Sequence, residues 1–145
     1  MKKKLLFISL SILLGMLFTF FVLNKENTYA KEEYLVYAFQ TGAFNNEENA
    51  IDYKNQLSSA IILKENNLYK VYVAIYKDID IINKMLVYFE NNNINIYLKS
   101  LSVSKEFYNN LGTYEELLKN SENDNVYSKI NLSILNNYLE SLNNE

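Results

Sequence analysis

The 145-residue chain contains neither Cys nor His, which removes thiolate and imidazole metal sites, Ser-His-Asp and Cys-His nucleophile systems, and disulfide frameworks. What remains for chemistry is 17 Asp plus Glu, 14 basic residues that are all Lys, and 13 Tyr. A pair of carboxylates could run acid–base glycoside hydrolysis, but only with raised pKa values, and acidic residues at this frequency usually form solvated faces. Tyr, Lys and amide side chains offer recognition without turnover. Flat rings stack on sugars, while ammonium and amide groups hydrogen-bond hydroxyls and acetamido groups. The residue types favour a binding protein over an enzyme, and they call for no cofactor and no metal.

The formal charge is -3, and Lys2, Lys3 and Lys4 lie together at the start, so the rest of the chain is more acidic still. That balance argues against nucleic acid as a partner. Directly after these lysines, Leu5 to Leu23 (LLFISLSILLGMLFTFFVL) is uncharged and mostly apolar. As a helix, such a run of about 19 residues nearly crosses a hydrocarbon core of about 30 Å. The positive-inside rule then leaves residues 1–4 as a cytoplasmic tail, makes 5–23 a transmembrane anchor in the cytoplasmic membrane, and sends the remainder outside. The rival reading is a cleaved secretory signal ending near Thr28-Tyr29-Ala30; the length of the run favours the anchor, and both readings export the domain. Residues 24–33 (NKENTYAKEE) read as a polar linker holding the domain close to the bilayer.

The elements that would position the Tyr, Lys and amide groups lie in residues 34–103. Tyr34 to Thr41 reads as a buried strand closing at Gly42, and an Asn at 45 or 46 starts an amphipathic helix to Ser58 through Ala50, Tyr53 and Leu57. Ala60 to Lys64 and Leu68 to Ile75 pair as a hairpin across Glu65-Asn66-Asn67. Asp78 or Asp80 caps a second helix carrying Met85, Leu86 and Phe89, and Ile94 to Val103 forms the last strand. The order is β-α-β-β-α-β, in two halves that echo each other. This predicts an α+β, ferredoxin-like fold: a four-stranded antiparallel sheet with both helices on one face and the other face open.

Alternation sorts the strand side chains between those faces. Leu35, Tyr37, Phe39, Val71, Val73, Ile94, Ile96 and Leu98 are expected against the helices. Val36, Ala38, Gln40, Lys70, Tyr72, Ala74, Asn95, Tyr97 and Lys99 are expected on the open face, which thereby mixes amide, Lys and Tyr groups. Beyond the sheet, residues 104–145 read as a C-terminal helical hairpin. Phe107, Leu111, Tyr114, Leu117 and Leu118 make one stripe, with a restart after Gly112 at Thr113-x-x-Glu116, and Tyr127, Ile130, Ile134, Tyr138 and Leu139 make the other. These stripes either pack on their own domain or offer a surface to an envelope protein partner.

Phe39-Gln40-Thr41-Gly42-Ala43-Phe44, followed by Asn-Glu-Glu-Asn-Ala at 46 to 50, resembles the first strand and helix start of SPOR domains, the sporulation and cell-division repeats that bind peptidoglycan. Leu68-Tyr69-Lys70-Val71-Tyr72-Val73 resembles the family's tyrosine-arginine-valine strand. The resemblance spans Tyr34 to Val103 and implies the same ferredoxin-like fold. For function it implies non-catalytic binding of glycan strands stripped of their stem peptides, at division or sporulation septa, through the open sheet face. Position by position, Gln40 matches the family's glycan-contacting glutamine, Lys70 its arginine, Tyr69 the neighbouring aromatic, and Ala43 a position often Ser or Ala. Tyr72, Tyr97 and Lys99 complete the candidate glycan-binding set from their expected place on the same face. Two departures stand out: Lys70 keeps the charge of Arg without its planar fork, and Ala74-Ile75 replaces the family's usual Gly-Pro.

Overall fold

The computed structural model describes residues 34–143, and the expected anchor 5–23, tail 1–4 and linker 24–33 lie outside the described residues. Among the described residues no helix is long and apolar enough to cross a membrane. The elements are β1 (Tyr34–Phe44), α1 (Glu47–Lys54), β2 (Ile61–Glu65), β3 (Leu68–Tyr76), α2 (Ile79–Asn91), β4 (Tyr97–Val103), α3 (Lys105–Lys119) and α4 (Asp124–Asn143). The four strands form one antiparallel sheet in the order β2-β3-β1-β4. The expected βαββαβ sequence of elements is therefore present, followed by two more helices.

Local chemistry accounts for most boundaries. Asn46 caps α1, its side chain accepting from the Glu48 N–H at 2.7 Å, and Asp78 caps α2 by accepting from Asp80 N–H at 2.9 Å. Asn66 and Asn67 both have positive φ, 50° and 63°, which makes a two-residue turn whose twist matches that of the flanking strands. Asn93, at φ 59°, sits in the left-handed conformation just past α2.

Four boundaries differ from the sequence expectation. Strand β1 runs through Gly42 to Phe44 rather than closing at Gly42, because Gly42, Ala43 and Phe44 go on pairing with Val71, Lys70 and Tyr69. Helix α1 stops at Lys54 rather than Ser58, since Ala50 is its one buried residue and little packing holds a further turn. Strand β4 starts at Tyr97 rather than Ile94: its pairing with β1 ends at Gln40↔Tyr97, where β1 bulges against β3 and turns away. Helix α3 runs through Gly112 without restarting at Thr113. The true cap is Ser104, whose hydroxyl accepts from Phe107 N–H at 3.2 Å, and the bare Gly112 lets the Lys77 side chain pass to the Tyr108 carbonyl at 2.6 Å.

Helices α1 and α2 share one face of the sheet. The Thr41 and Tyr53 hydroxyls are bonded at 2.9 Å, the Phe44 and Tyr53 rings lie 5.4 Å apart, and Phe39 packs on Phe89 of α2 at 5.8 Å. Coverage of that face is incomplete. Leu35 and Tyr37, which alternate with Phe39 and were expected beneath the helices, are 55% and 44% exposed, and Leu98 is exposed too. These residues belong to β1 and β4, whereas α2 packs against β3 and α3.

The opposite face is not open along its whole length. Val36, Ala38 and Ile75, which the pairing places there, have no exposed surface at all. With α1 and α2 on the other side, the cover comes from α3 and α4, which pack against β1 and β3. The hairpin stripes serve this purpose: Phe107, Leu111 and Leu118 of α3 and Ile134, Leu135 and Tyr138 of α4 join the common core. Leu117, by contrast, is exposed.

Polar ties lock the hairpin in place. Glu115 is buried and its Oε1 accepts from the N–H groups of Lys77 at 2.6 Å and Asp78 at 2.9 Å, so α3 closes the junction between β3 and α2. Tyr76 donates to the buried Asn131 side chain of α4 at 2.5 Å, and Lys84 donates to the Leu118 and Ser121 carbonyls at the end of α3. Among the described residues no buried side-chain polar atom lacks a partner.

Candidate functional site

The polar side chains converge at the uncovered end of the face opposite α1 and α2. Pairing puts Gln40 of β1 between Tyr72 of β3 and Tyr97 of β4, with Ala43 opposite Lys70 and Lys99 opposite Ala38. Six of the seven expected site residues, namely Gln40, Ala43, Lys70, Tyr72, Tyr97 and Lys99, therefore share one face. Tyr69 does not. It pairs with Phe44 on the helix-bearing face, where the Lys64 ammonium stands 5.0 Å from its ring centroid.

Two β-bulges decide which residues meet. Between Phe39 and Gln40 the partner on β3 jumps from Ala74 to Tyr72, and between Gln40 and Gly42 a second shift follows. The first shift reverses the phase of β3. Ala74, expected on the open face, stands with Phe39 against the helices, while Tyr72 stays with Gln40.

Glu65 is the centre that sequence reasoning assigned to a turn. It ends β2 just before Asn66-Asn67, and alternation along the hairpin gives Ile61, Leu63 and Glu65 the same face as Lys70 and Tyr72. Its Oε2 accepts from Lys70 Nζ at 3.1 Å and from Lys99 Nζ, and its Oε1 accepts from Tyr72 Oη at 2.9 Å. Lys99 also donates to Tyr72 Oη at 3.1 Å. A signal was available: an Asn-Asn turn of two residues fixes the register, and the register then places Glu65 two positions from the residue opposite Lys70.

The electrostatics follow from these contacts. Burial by itself would raise the Glu65 carboxyl, but hydrogen bonds from Lys99, Lys70 and Tyr72 outweigh it and hold the group below its ordinary value, so it is ionised. Tyr72 is pushed well above the usual phenol range by burial and by the hydrogen bond to Glu65, so its hydroxyl stays a donor. One carboxylate between two ammonium groups leaves the cluster with a net positive charge.

Exposure divides the two expected stacking rings. Tyr97 is 69% exposed and presents a ring edge or face to solvent, whereas Tyr72 is 1% exposed, its ring belonging to the core and only its hydroxyl to the cluster. Gln40 is half-buried, and its amide bonds to no other described residue, so its donors and acceptor are free for a ligand. The carboxylates with shifted pKa values are not set for acid–base catalysis. Glu65 is tied to two lysines, Asp78 is held low by Lys119 and by its capping bonds, and Glu115, raised by burial, is held inside by two backbone N–H groups.

A family model for the SPOR domain matches residues 36–86, from β1 into the middle of α2. The chain contains a SPOR domain. The matched stretch includes Gln40, Ala43, Glu65, Tyr69, Lys70 and Tyr72; Tyr97 and Lys99, on β4, lie beyond it. SPOR domains are binding domains for peptidoglycan associated with cell division, not catalytic ones, and this gives the chain a binding role in outline. Comparison with curated proteins and with solved structures yields no match.

Proposed function

We propose that this chain is a non-catalytic, membrane-anchored peptidoglycan-binding protein that holds glycan strands stripped of stem peptides at a division or sporulation septum. In this reading the apolar run 5–23 anchors the chain in the cytoplasmic membrane with Lys2 to Lys4 inside and the SPOR domain in the cell envelope. The observation that carries it is the grouping of Gln40, Lys70, Lys99 and Tyr97 on one uncovered stretch of sheet, with amide, ammonium and aromatic groups in reach of a single extended ligand. A glycan strand is long, narrow and rich in hydroxyl and acetamido groups, which suits a shallow surface better than an enclosed pocket.

Docking of an envelope protein on the C-terminal helices has less behind it, because the apolar stripes of α3 and α4 are largely used in the chain's own core. Co-sedimentation of the full chain, kept in solution by a mild detergent, with intact sacculi before and after amidase treatment tests the proposal. Binding should rise when the stem peptides are removed. No binding to either preparation by a demonstrably folded protein would overturn the glycan reading and redirect the search to a protein partner.

A further inference from the structure

The Glu65 carboxylate fills the site's best anion position. Lys70 and Lys99 both donate to its Oε2 and Tyr72 donates to its Oε1, so three donors of the open face are occupied by a group of the protein itself. Side-chain contacts alone hold the Glu65 carboxylate there. Glu65 is the last residue of β2, beside the Asn66-Asn67 turn, and its side chain is 26% exposed. Rotation about its side-chain torsions would carry the carboxylate into solvent without moving the backbone.

Removal of a stem peptide creates a matching group. Hydrolysis of the amide between the peptide and the lactyl ether of muramic acid takes up one water, releases the peptide's amine and leaves a free carboxylate on alternate sugars. An intact strand carries an amide at that point, and an amide is a weaker acceptor for ammonium donors than a carboxylate. Resting on the glycan-binding reading above, we propose that Glu65 is an internal stand-in for this carboxylate, and that Lys70 and Lys99 exchange it for the lactyl carboxylate of a stripped strand. Selectivity for stripped glycan then has a chemical basis beyond the absence of a bulky peptide. Glu65 offsets part of the lysines' charge until a ligand with the right charge displaces it, which disfavours neutral sugars.

The test uses the full chain in mild detergent, as wild type, Glu65→Gln and Glu48→Gln. The last makes the same charge change on exposed α1, on the other side of the sheet. Each is titrated against stripped sacculi, and against stripped sacculi whose carboxylates have been converted to amides with carbodiimide and ammonia. Glu65→Gln should bind stripped sacculi about three- to fivefold more tightly than wild type, the scale of losing a competing, partly exposed ion pair. Glu48→Gln should match wild type. Amidation should lower wild-type binding by about tenfold, as expected when charge-assisted hydrogen bonds become neutral ones.

Weaker or unchanged binding by Glu65→Gln, an equal gain in Glu48→Gln, or wild-type binding indifferent to amidation would each overturn the inference while leaving glycan binding intact. Loss of wild-type binding to stripped sacculi altogether would overturn the glycan reading and this inference with it. The amidation arm uses wild-type protein and so decides the matter even if Glu65→Gln fails to fold.

Discussion

Along the sheet face opposite α1 and α2, the end near Tyr34 is apolar and covered, whereas the end near Ala43 is polar and uncovered. Val36, Ala38 and Ile75 at the first end are fully buried beneath the C-terminal hairpin, while Gln40, Lys70, Lys99 and Glu65 at the second keep contact with solvent and Tyr97 is largely exposed. Both ends are built from β1, β3 and β4 in antiparallel pairing, with two bulges in the β1–β3 ladder between them. The strands thus decide which side chains share the face, and the helices that follow them decide how much of it a ligand can reach. Tyr72 stands at the seam, its ring in the core and its hydroxyl bonded to Glu65.

Substitutions at the covered end should cost the most stability. Phe107→Ala removes a buried ring whose centroid lies 5.3 Å from that of the tilted Tyr138 ring and should cost about 3–5 kcal/mol, read as a fall in the denaturant midpoint. A much smaller loss would mean that the hairpin is an appendage rather than a cover. Glu115→Ala should follow at about 1–3 kcal/mol, because it leaves the Lys77 and Asp78 N–H groups without their acceptor, and Glu115→Gln should recover part of that.

At the open end the balance between stability and binding reverses. Gln40→Ala should leave the denaturation midpoint nearly unchanged, within about 0.5 kcal/mol, and Lys70→Ala, which breaks a partly buried ion pair with Glu65, should lower it modestly, yet each should weaken binding to stripped sacculi by about fivefold or more. Tyr97→Ala should weaken binding by about threefold through loss of ring contact, and Tyr69→Ala, on the other face, should not weaken it. Equal effects of the two tyrosines would place the ligand elsewhere.

The two ends also differ in their response to pH. Glu65 has its folded-state pKa below the ordinary 4.5, so its stabilising contribution is complete above that value and is lost as pH falls through the lowered one. Glu115 is held above 4.5, so its ionisation adds a cost that is absent below the ordinary value and complete once pH has risen through the raised one. Comparing wild type with Glu65→Gln and Glu115→Gln from acid to neutral pH should therefore show the first substitution reducing the acid-side loss of stability and the second reducing the opposing trend.

Much of this arrangement was legible in the residues. The order of elements, the caps at Asn46 and Asp78, the Asn-rich turn and the shared face of Gln40, Lys70, Tyr97 and Lys99 all follow from local rules of spacing, capping and alternation. Glu65 escaped notice because its role depends on Lys99 of β4, 34 residues further along the chain, which only the folded sheet brings near. The burial of Val36 and Ala38 and the exposure of Leu35 and Tyr37 were also hidden. Alternation divides residues between two faces but carries no information on which stretch of each face a helix will cover.

Local chemistry along the chain sets a group of choices: no Cys or His to support metal or thiol chemistry, helices and strands set by their period and caps, and the hairpin register pinned by two asparagines at positive φ. Long-range packing, by contrast, closes one end of a sheet face with a C-terminal hairpin and brings a carboxylate, two lysines and a tyrosine together at the other. Those outcomes rest on contacts between residues far apart in the chain, such as Tyr76 with Asn131 and Glu65 with Lys99, whose strength depends on packing and burial.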